Sequence, residues 1–166
     1  MAGRRDPVTV YVALGANLGD ARAAVAQALR DLGTLPQTQL LQASSLYRTA
    51  PIDSSGPDYI NAVAEIRTAL APDALLAELQ RLEQAAGRER PWRNAPRTLD
   101  LDILFYDELQ LDSPTLTIPH PRMTERAFVL LPLADLAPGL THPVLGKTVQ
   151  QLLENVDTSG IQPYSP

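Results

Sequence analysis

The sequence is informative first through what it lacks. It contains no cysteine, which excludes a disulfide framework and thiol chemistry and fits a reducing compartment. No apolar run approaches the ~20 residues that a membrane-spanning helix requires. The first residues, MAGRRDP, lack the apolar stretch and small-residue cleavage site of a signal peptide. We therefore expect a cytoplasmic protein without a membrane partner.

Lysine is almost absent. Of the 14 positively charged side chains only Lys147 is a lysine, and the net charge is −5. Such a chain does not offer the broad basic surface that non-specific nucleic-acid binding needs, so we expect no nucleic-acid partner. A GC-rich genome could produce the arginine bias. It does not explain why Arg88, Arg90, Arg93 and Arg97 fall within ten residues.

Linkers and internal repeats are also missing. A chain of 166 residues, 45% hydrophobic and 20% charged, is typical of one globular domain. We expect a single domain over 1–166, with a core at about 8–155 and a frayed tail at 156–166. We also expect a monomer.

The order of predicted elements indicates the fold. Alternating and helical periodicities predict strands over 8–14, 39–48, 59–68 and 98–106, with a short hairpin to 109–111, and helices over 21–32, 72–86, 125–131 and 147–155. Asp20 and Thr124 are candidate N-caps. Strand, helix, strand, strand, helix, strand is the ferredoxin-like split βαβ pattern, an α+β fold with two helices on one face of an antiparallel sheet. The other face would be free for loops and a site.

The stretch RTLDLDILFY places two aspartates inside an apolar strand. Alternation puts Asp100 and Asp102 on one face with Thr98 and Leu104. The opposite face then carries the apolar residues Leu99, Leu101, Ile103 and Phe105. The two aspartates lie roughly 6–7 Å apart at the backbone, so their carboxylates repel each other unless a cation lies between them or the strand is a solvent-exposed edge strand.

Both alternatives are open for this pair. Charge on an edge strand is a common protection against aggregation. Alternatively, the two carboxylates hold one Mg²⁺ each or bridge two, since Mg²⁺ takes hard oxygen ligands and often only one or two carboxylates plus substrate phosphates. The nearby Arg88, Arg90 and Arg97 favour the metal site, because guanidinium groups bind phosphate bidentately.

Tyr59 and Asn61 share one face of the third predicted strand. An aromatic ring beside a carboxamide suits a flat heterocycle that has donor and acceptor edges. Phe128 is a candidate second ring. The competing interpretation is a half-buried tyrosine at a strand start and a core phenylalanine.

His120 lies between two prolines and near Arg122 and Arg126, where it could donate to a phosphate. His142 lacks such neighbours, and we expect it to be structural. Two familiar phosphate cradles are not complete: the turn at Gly15 lacks the G-x-G-x-x-G spacing, and Gly146-Lys147-Thr148 lacks the first glycine of a P-loop.

Five strings within residues 8–155 resemble one family. They are YVALGANLGD, SSLYRTAPI with PDYINAV, LEQAAGRER, APRTLDLDIL and LTIPHPRMTERAFVLLPL. Together they resemble 6-hydroxymethyl-7,8-dihydropterin pyrophosphokinase, a family of folate biosynthesis. The resemblance implies a ferredoxin-like core with mobile loops. It also implies transfer of the β,γ-diphosphate of ATP to the pterin's hydroxymethyl oxygen, with release of AMP.

The resemblance also assigns residues to the nucleotide. Asp100 and Asp102 would bind two Mg²⁺ ions and, with Arg88 and Arg97, carry catalysis. The ATP site would be lined by Gln80, Glu83, Arg88, Arg97, His120 and Arg126, with Ile103 and Thr117 near the adenine. Arg90 would belong to a closing loop, and Asp102 is a candidate acceptor of the hydroxyl proton.

For the pterin, the resemblance implies a ring stacked between Tyr59 and Phe128. Asn61 and backbone groups of Thr49 and Ile52 would read its edge.

Some positions depart from the family pattern. Ala50 stands where the family often has proline, and Pro121 stands where an aromatic residue is frequent. Asn94-Ala-Pro stands where Trp-Gly-Pro is usual, in an arginine loop that is one residue shorter. Trp92 could supply the missing tryptophan ring. These changes concern loop closure rather than the chemistry.

Two rival functions are a small-molecule-binding module, which would show no turnover, and a Mg²⁺-dependent nucleotidyl transferase or nuclease, which would need a basic surface.

Overall fold

The computed structural model describes residues 6–17, 20–49, 58–87 and 99–164. The strands are β1 Val8–Ala16, β2 Thr38–Ala43, β3 Tyr47–Thr49, β4 Tyr59–Thr68, β5 Asp100–Tyr106, β6 Leu111–Asp112, β7 Thr117–Ile118 and β8 Ile161–Pro163. The helices are α1 Ala21–Leu32, α2 Pro72–Gly87, α3 Ala127–Leu136 and α4 Val149–Leu153, with a 3₁₀ turn at Met123–Glu125. Within these ranges, none of the helices is long and apolar enough to cross a membrane.

The main sheet is antiparallel, in the order β5-β1-β4-β3-β8. Strand β2 pairs with β4 as well, farther along β4 than β3 does. Helices α1 and α2 follow the first and third long strands, and both pack on one face. The predicted ferredoxin-like α+β fold is confirmed. The predicted bounds of α1 are also correct, because the Asp20 carboxylate accepts a hydrogen bond from the N–H of Ala23 (3.0 Å) and caps the helix.

Each face of the sheet has its own core. The alternation of β4 sends Ile60, Ala62, Ala64 and Ile66 toward α1 and α2. Val63 on the opposite face packs with Leu130 and Leu133 of α3 and with Val149 of α4. The expectation that this second face is left to loops is therefore wrong for half of the sheet. The other half, around Asn61 and the start of β5, carries the polar residues.

A bulge interrupts the alternation of β5. Tyr11 pairs with Phe105 while Val12 pairs with Ile103, so Leu104 is an extra residue. Leu104 and Phe105 consequently both face α3. The prediction that Phe105 shares a face with Ile103 is wrong, whereas the shared face of Asp100 and Asp102, before the bulge, is confirmed.

The strand predicted over 39–48 is two strands separated by Ser44. The Ser44 N–H donates to the carbonyl of Val63 (2.8 Å), and its Oγ accepts from the N–H of Val63 (2.9 Å). The serine side chain thus replaces one ladder bond and shifts the chain before β3 begins.

Three expectations after β5 are also wrong. Asp107 has a positive φ of 51° and turns the chain, after which β6 pairs with β7 instead of β5. Thr124 lies in the 3₁₀ turn and does not cap a helix, since α3 starts only after the extended Arg126. The tail is not frayed at Ile161–Pro163, which pair with β3.

Candidate active site

One row of residues crosses the polar half of the sheet. Gly15 of β1 pairs with Asp100 on one side and with Asn61 on the other, and Asn61 pairs in turn with Tyr47. Neighbouring strands lie about 4.8 Å apart, so Asp100 and Asn61 are separated by roughly 10 Å across the same face. The predicted metal carboxylate and the predicted heterocycle-reading amide therefore belong to one continuous surface.

The two aspartates lie on the outermost long strand of the sheet. Asp100 is exposed and Asp102, which pairs with Ala13, is half-buried. Between them, the N–H of Leu101 donates to the Glu83 carboxylate of α2 (2.8 Å). Glu83 therefore ties the edge of β5 to α2 at the point where the aspartates project.

The donor set fits Mg²⁺. Both side chains offer hard carboxylate oxygens on one face, two residues apart. Among the residues that the structure describes, no group of three or more His, Cys, Asp or Glu side chains could hold a metal ion. Two carboxylates leave coordination positions for water and phosphate oxygens, which is how Mg²⁺ is commonly bound.

His120 lies next to this edge. The backbone N–H of His120 donates to the carbonyl of Leu104 (3.0 Å), and the ring Nδ1 accepts from the backbone N–H of Arg122 (3.1 Å). Burial lowers the pKa of His120; the Asp102 carboxylate opposes this effect, while the Arg126 and Arg122 charges add to it. A neutral ring with Nδ1 as acceptor carries its proton on Nε2, which makes it a donor.

Arg126 and Phe128 lie at the start of α3, where the Arg126 charge also acts on the His120 ring. The Arg126 guanidinium lies over the Phe128 ring, 5.6 Å from its centroid. Phe128 is half-buried and so keeps part of its ring accessible. The structure thus joins a candidate phosphate ligand to a candidate stacking ring.

The predicted pterin residues Thr49, Tyr59 and Asn61 lie on β3 and β4. The Asn61 amide donates through Nδ2 to Thr49 Oγ1 (3.0 Å), and both residues are buried. Tyr59 is half-buried and pairs with Thr49. The structure therefore brings Tyr59, Asn61 and Thr49 together.

The remaining predicted nucleotide residues lie around β5. Gln80 is exposed on α2, one turn before Glu83. Ile103 is 2% exposed and faces α1 and α2, so only its backbone is near the edge. Thr117 and His120 line a groove of 640 Å³. This groove is bounded by Gln110, Leu111, Asp112, Ile118, Pro119, Pro121, Thr124, His142, Val144 and Leu145.

Several predictions fall outside the described residues. They concern the arginine loop, the proline-rich loop and their departures from the family pattern: Arg88, Arg90, Trp92, Arg93, Asn94, Arg97, Ala50 and Ile52.

Sequence reasoning assigned Gly15 to a turn after the first strand and gave it no role in the site, whereas the residue lies within β1. A Cβ at this position would meet Asn61 Oδ1 at 3.0 Å, so the glycine leaves space beside the amide. The available signal was a lone glycine inside an apolar strand, which often marks a close approach.

A comparison with protein-family models shows which family the chain resembles. Residues 11–138 match the model of 7,8-dihydro-6-hydroxymethylpterin-pyrophosphokinase. The chain belongs to this family. The matched range contains the whole row from Asp100 to Tyr47.

Curated relatives agree with this assignment. The chain is 47% identical to a 2-amino-4-hydroxy-6-hydroxymethyldihydropteridine pyrophosphokinase of Pseudomonas aeruginosa, covering 92% of this chain and 94% of the relative. It is 42% identical to the Synechocystis protein of the same name, covering 93% and 80%.

Solved structures share the fold. A crystal structure of a Plasmodium falciparum HPPK-DHPS variant superposes with a TM-score of 0.74 at 17% identity. The match covers 92% of this chain and 46% of that one, so this chain spans less than half of the Plasmodium protein.

Proposed function

We propose that the chain takes its diphosphate from ATP, uses Mg²⁺ held by Asp100 and Asp102, and binds the pterin between Tyr59, Asn61 and Phe128. As a member of its family it is a pyrophosphokinase that transfers a diphosphate to 6-hydroxymethyl-7,8-dihydropterin in folate biosynthesis. The observation that carries the proposal is the row Asp100–Gly15–Asn61, which sets a carboxylate and a heterocycle-reading amide on one face.

In this proposal the triphosphate of ATP lies at the β5 edge. Mg²⁺ bound there would neutralise charge on the triphosphate. Neutral His120 would donate through Nε2 to a phosphate oxygen, and the Arg126 guanidinium would leave the Phe128 ring to do the same. Arg88 and Arg97 are proposed to complete this cluster.

The pterin end belongs over β3 and β4. Asn61 and backbone groups of Thr49 and Ile52 would pair with the polar edge of the bicyclic ring, and Tyr59 and Phe128 would stack on its faces. This binding would hold the hydroxymethyl group above Gly15, between the two halves of the site.

The transfer is an in-line displacement. The hydroxymethyl oxygen attacks the β-phosphorus while the bond from that phosphorus to the α,β-bridging oxygen breaks. The bridging oxygen keeps the electron pair and leaves with AMP. Positive side chains around the phosphates stabilise the developing charge. The hydroxyl proton is released, and Asp102 is the candidate acceptor.

A nucleotide-product assay tests the reaction. The purified chain is incubated with ATP, Mg²⁺ and 6-hydroxymethyl-7,8-dihydropterin, and AMP is resolved from ADP. We expect pterin-dependent AMP with a matching amount of pterin diphosphate. ADP would contradict diphosphate transfer, and binding without turnover would favour a ligand-binding module.

Asp100→Ala tests the metal role. We expect kcat to fall by about 1000-fold, because a bound cation supplies several kcal/mol of charge stabilisation. The melting temperature should change little, since the Asp100 side chain is exposed. Asp107→Asn, which removes an exposed carboxylate just beyond the same strand, is the matched control. Wild-type turnover in Asp100→Ala would contradict the metal site.

The predicted cytoplasmic location, the single domain over 1–166 and the monomeric state stay predictions.

A further inference from the structure

Two separate elements carry the two sides of the proposed pterin pocket. Thr49 belongs to the short strand β3, whereas Phe128 belongs to the first turn of α3. The width of the pocket therefore depends on how β3 is held relative to α3.

One side-chain hydrogen bond joins these elements directly. The Tyr47 hydroxyl donates to Asp135 Oδ2 at 2.7 Å, across 88 residues of sequence. Tyr47 is 7% exposed, pairs with Asn61, and lies two residues before Thr49 on the same face of β3. Burial and this hydrogen bond raise the pKa of Tyr47 to about 12, so the hydroxyl remains a donor at neutral pH.

The geometry relates this bond to the stacking ring. Asp135 follows Phe128 by seven residues, which is two turns of α3 and about 10 Å along its axis. Residues seven apart lie on one side of a helix. The bond thus fixes the side of α3 that carries Phe128 against the strand that carries Thr49.

We propose that Tyr47 and Asp135 are positioning residues that set the distance between the Phe128 ring and the Asn61–Thr49 edge, and so determine affinity for the bicyclic pterin. This inference rests on the proposed pterin site. Neither residue contacts the reacting atoms. Their loss should weaken pterin binding much more than ATP binding, to which α3 contributes only through Arg126 at its start.

A double-mutant cycle tests the proposal with Tyr47→Phe, Asp135→Ala and the double variant, because alanine, unlike asparagine, leaves no side-chain oxygen to accept from the Tyr47 hydroxyl. Pterin affinity is measured by direct titration, and KM for pterin, KM for ATP and kcat by AMP release. We expect each single variant to raise Kd and KM for pterin by about fivefold to tenfold, because only part of the free energy of the lost hydrogen bond is expressed in pterin binding. KM for ATP and kcat should stay within about twofold. The double variant should match the single ones, because one bond cannot be lost twice.

Tyr164→Phe is the matched control. It removes the hydroxyl of another tyrosine, which follows β8 and packs its ring on Arg48 of β3 at 4.8 Å. This variant should leave all constants unchanged. Should Tyr47→Phe fail to fold, the exposed Asp135 allows the test through Asp135→Ala.

The possible outcomes distinguish a wrong proposed function from a wrong positioning role for Tyr47 and Asp135. Wild-type protein that forms no pterin-dependent AMP contradicts the proposed function. Active wild-type protein whose variants keep the wild-type pterin Kd overturns only the positioning role. Equal losses in pterin affinity, ATP affinity and melting temperature would likewise overturn it, in favour of a general contribution to stability.

Discussion

Gly15 lies between the two halves of the candidate site, where a side chain would intrude. The backbone pairing that joins it to Asp100 and Asn61 requires no glycine, because its φ is not positive. The requirement is the space beside Asn61 Oδ1, which would lie only 3.0 Å from a methyl group at this position. At the residue scale, the absence of a side chain is therefore part of the site.

Gly15→Ala should weaken pterin binding. The methyl group would push the Asn61 amide by a few tenths of an ångström, and we expect KM for pterin to rise by roughly tenfold with KM for ATP unchanged. Steady-state kinetics with each substrate varied in turn measure this. Gly33→Ala is the control, since a Cβ there meets its nearest atoms at an ordinary 3.5 Å. An unchanged pterin KM in Gly15→Ala would show that Asn61 does not hold the ring.

At the scale of elements, β3 depends on its neighbours. It has only three residues, and a strand this short is stabilised mainly by what pairs with it. It pairs with β4 on one side and β8 on the other, and the Tyr164 N–H donates to the carbonyl of Leu46 (2.9 Å). The C-terminal strand therefore supports the strand that carries Thr49.

A chain ending at Ser159 should be less stable. Loss of β8 and of the contact between Arg48 and Tyr164 should lower the free energy of unfolding by about 2 kcal/mol, or the melting temperature by roughly 4–8 °C. Thermal unfolding followed by circular dichroism measures the shift. Gln162→Ala keeps the backbone pairing and removes only an exposed side chain, so it should change stability by less than about 0.5 kcal/mol. Equal melting temperatures for the truncated and full chains would contradict the supporting role of β8.

At the scale of the whole molecule, two buried titrating groups limit the pH range of stability. His142 is 6% exposed, its Nδ1 accepts from the N–H groups of Val144 and Leu145 (3.2 Å each), and its ring packs edge-on against Phe105 at 5.6 Å. These contacts require the neutral ring, and burial lowers the pKa of His142. As expected from the sequence, this histidine has a structural position.

His142 should make the fold sensitive to acid. Because its folded pKa is below the ordinary 6.5, its contribution is complete above pH 6.5 and is lost as the pH falls further, with a slope of at most about 1.4 kcal/mol per pH unit. Urea unfolding between pH 7 and about 5 measures the slope. His142→Asn keeps an acceptor that does not titrate, and its profile should be flatter than that of the wild type. Parallel profiles would contradict this assignment.

Tyr47 should act at the alkaline end. Its pKa is raised from 10.0 to about 12, so its contribution is present below pH 10 and is lost as the pH rises from 10 to about 12. Tyr47→Phe should be less stable than the wild type at pH 8, and the difference should shrink over that range. A difference that is constant with pH would show that the hydrogen bond to Asp135 does not govern the titration.

The sequence by itself determined what depends on local periodicity. Alternation placed Asp100 and Asp102 on one face and Ile60 and Ala62 on the other, and the cap at Asp20 located the start of α1. These features follow from the repeat of a single strand or helix, which neighbouring residues encode. The element order then indicated the ferredoxin-like fold, and five motifs indicated the family.

Tertiary structure alone decided what depends on partners distant in sequence. The division of a predicted strand at Ser44, the extra residue Leu104 and the pairing of β8 all arise from how one strand meets another. The same holds for the bond between Tyr47 and Asp135, 88 residues apart. Local patterns specify which face a side chain takes; only long-range pairing specifies the register, and thereby which side chains meet across the site.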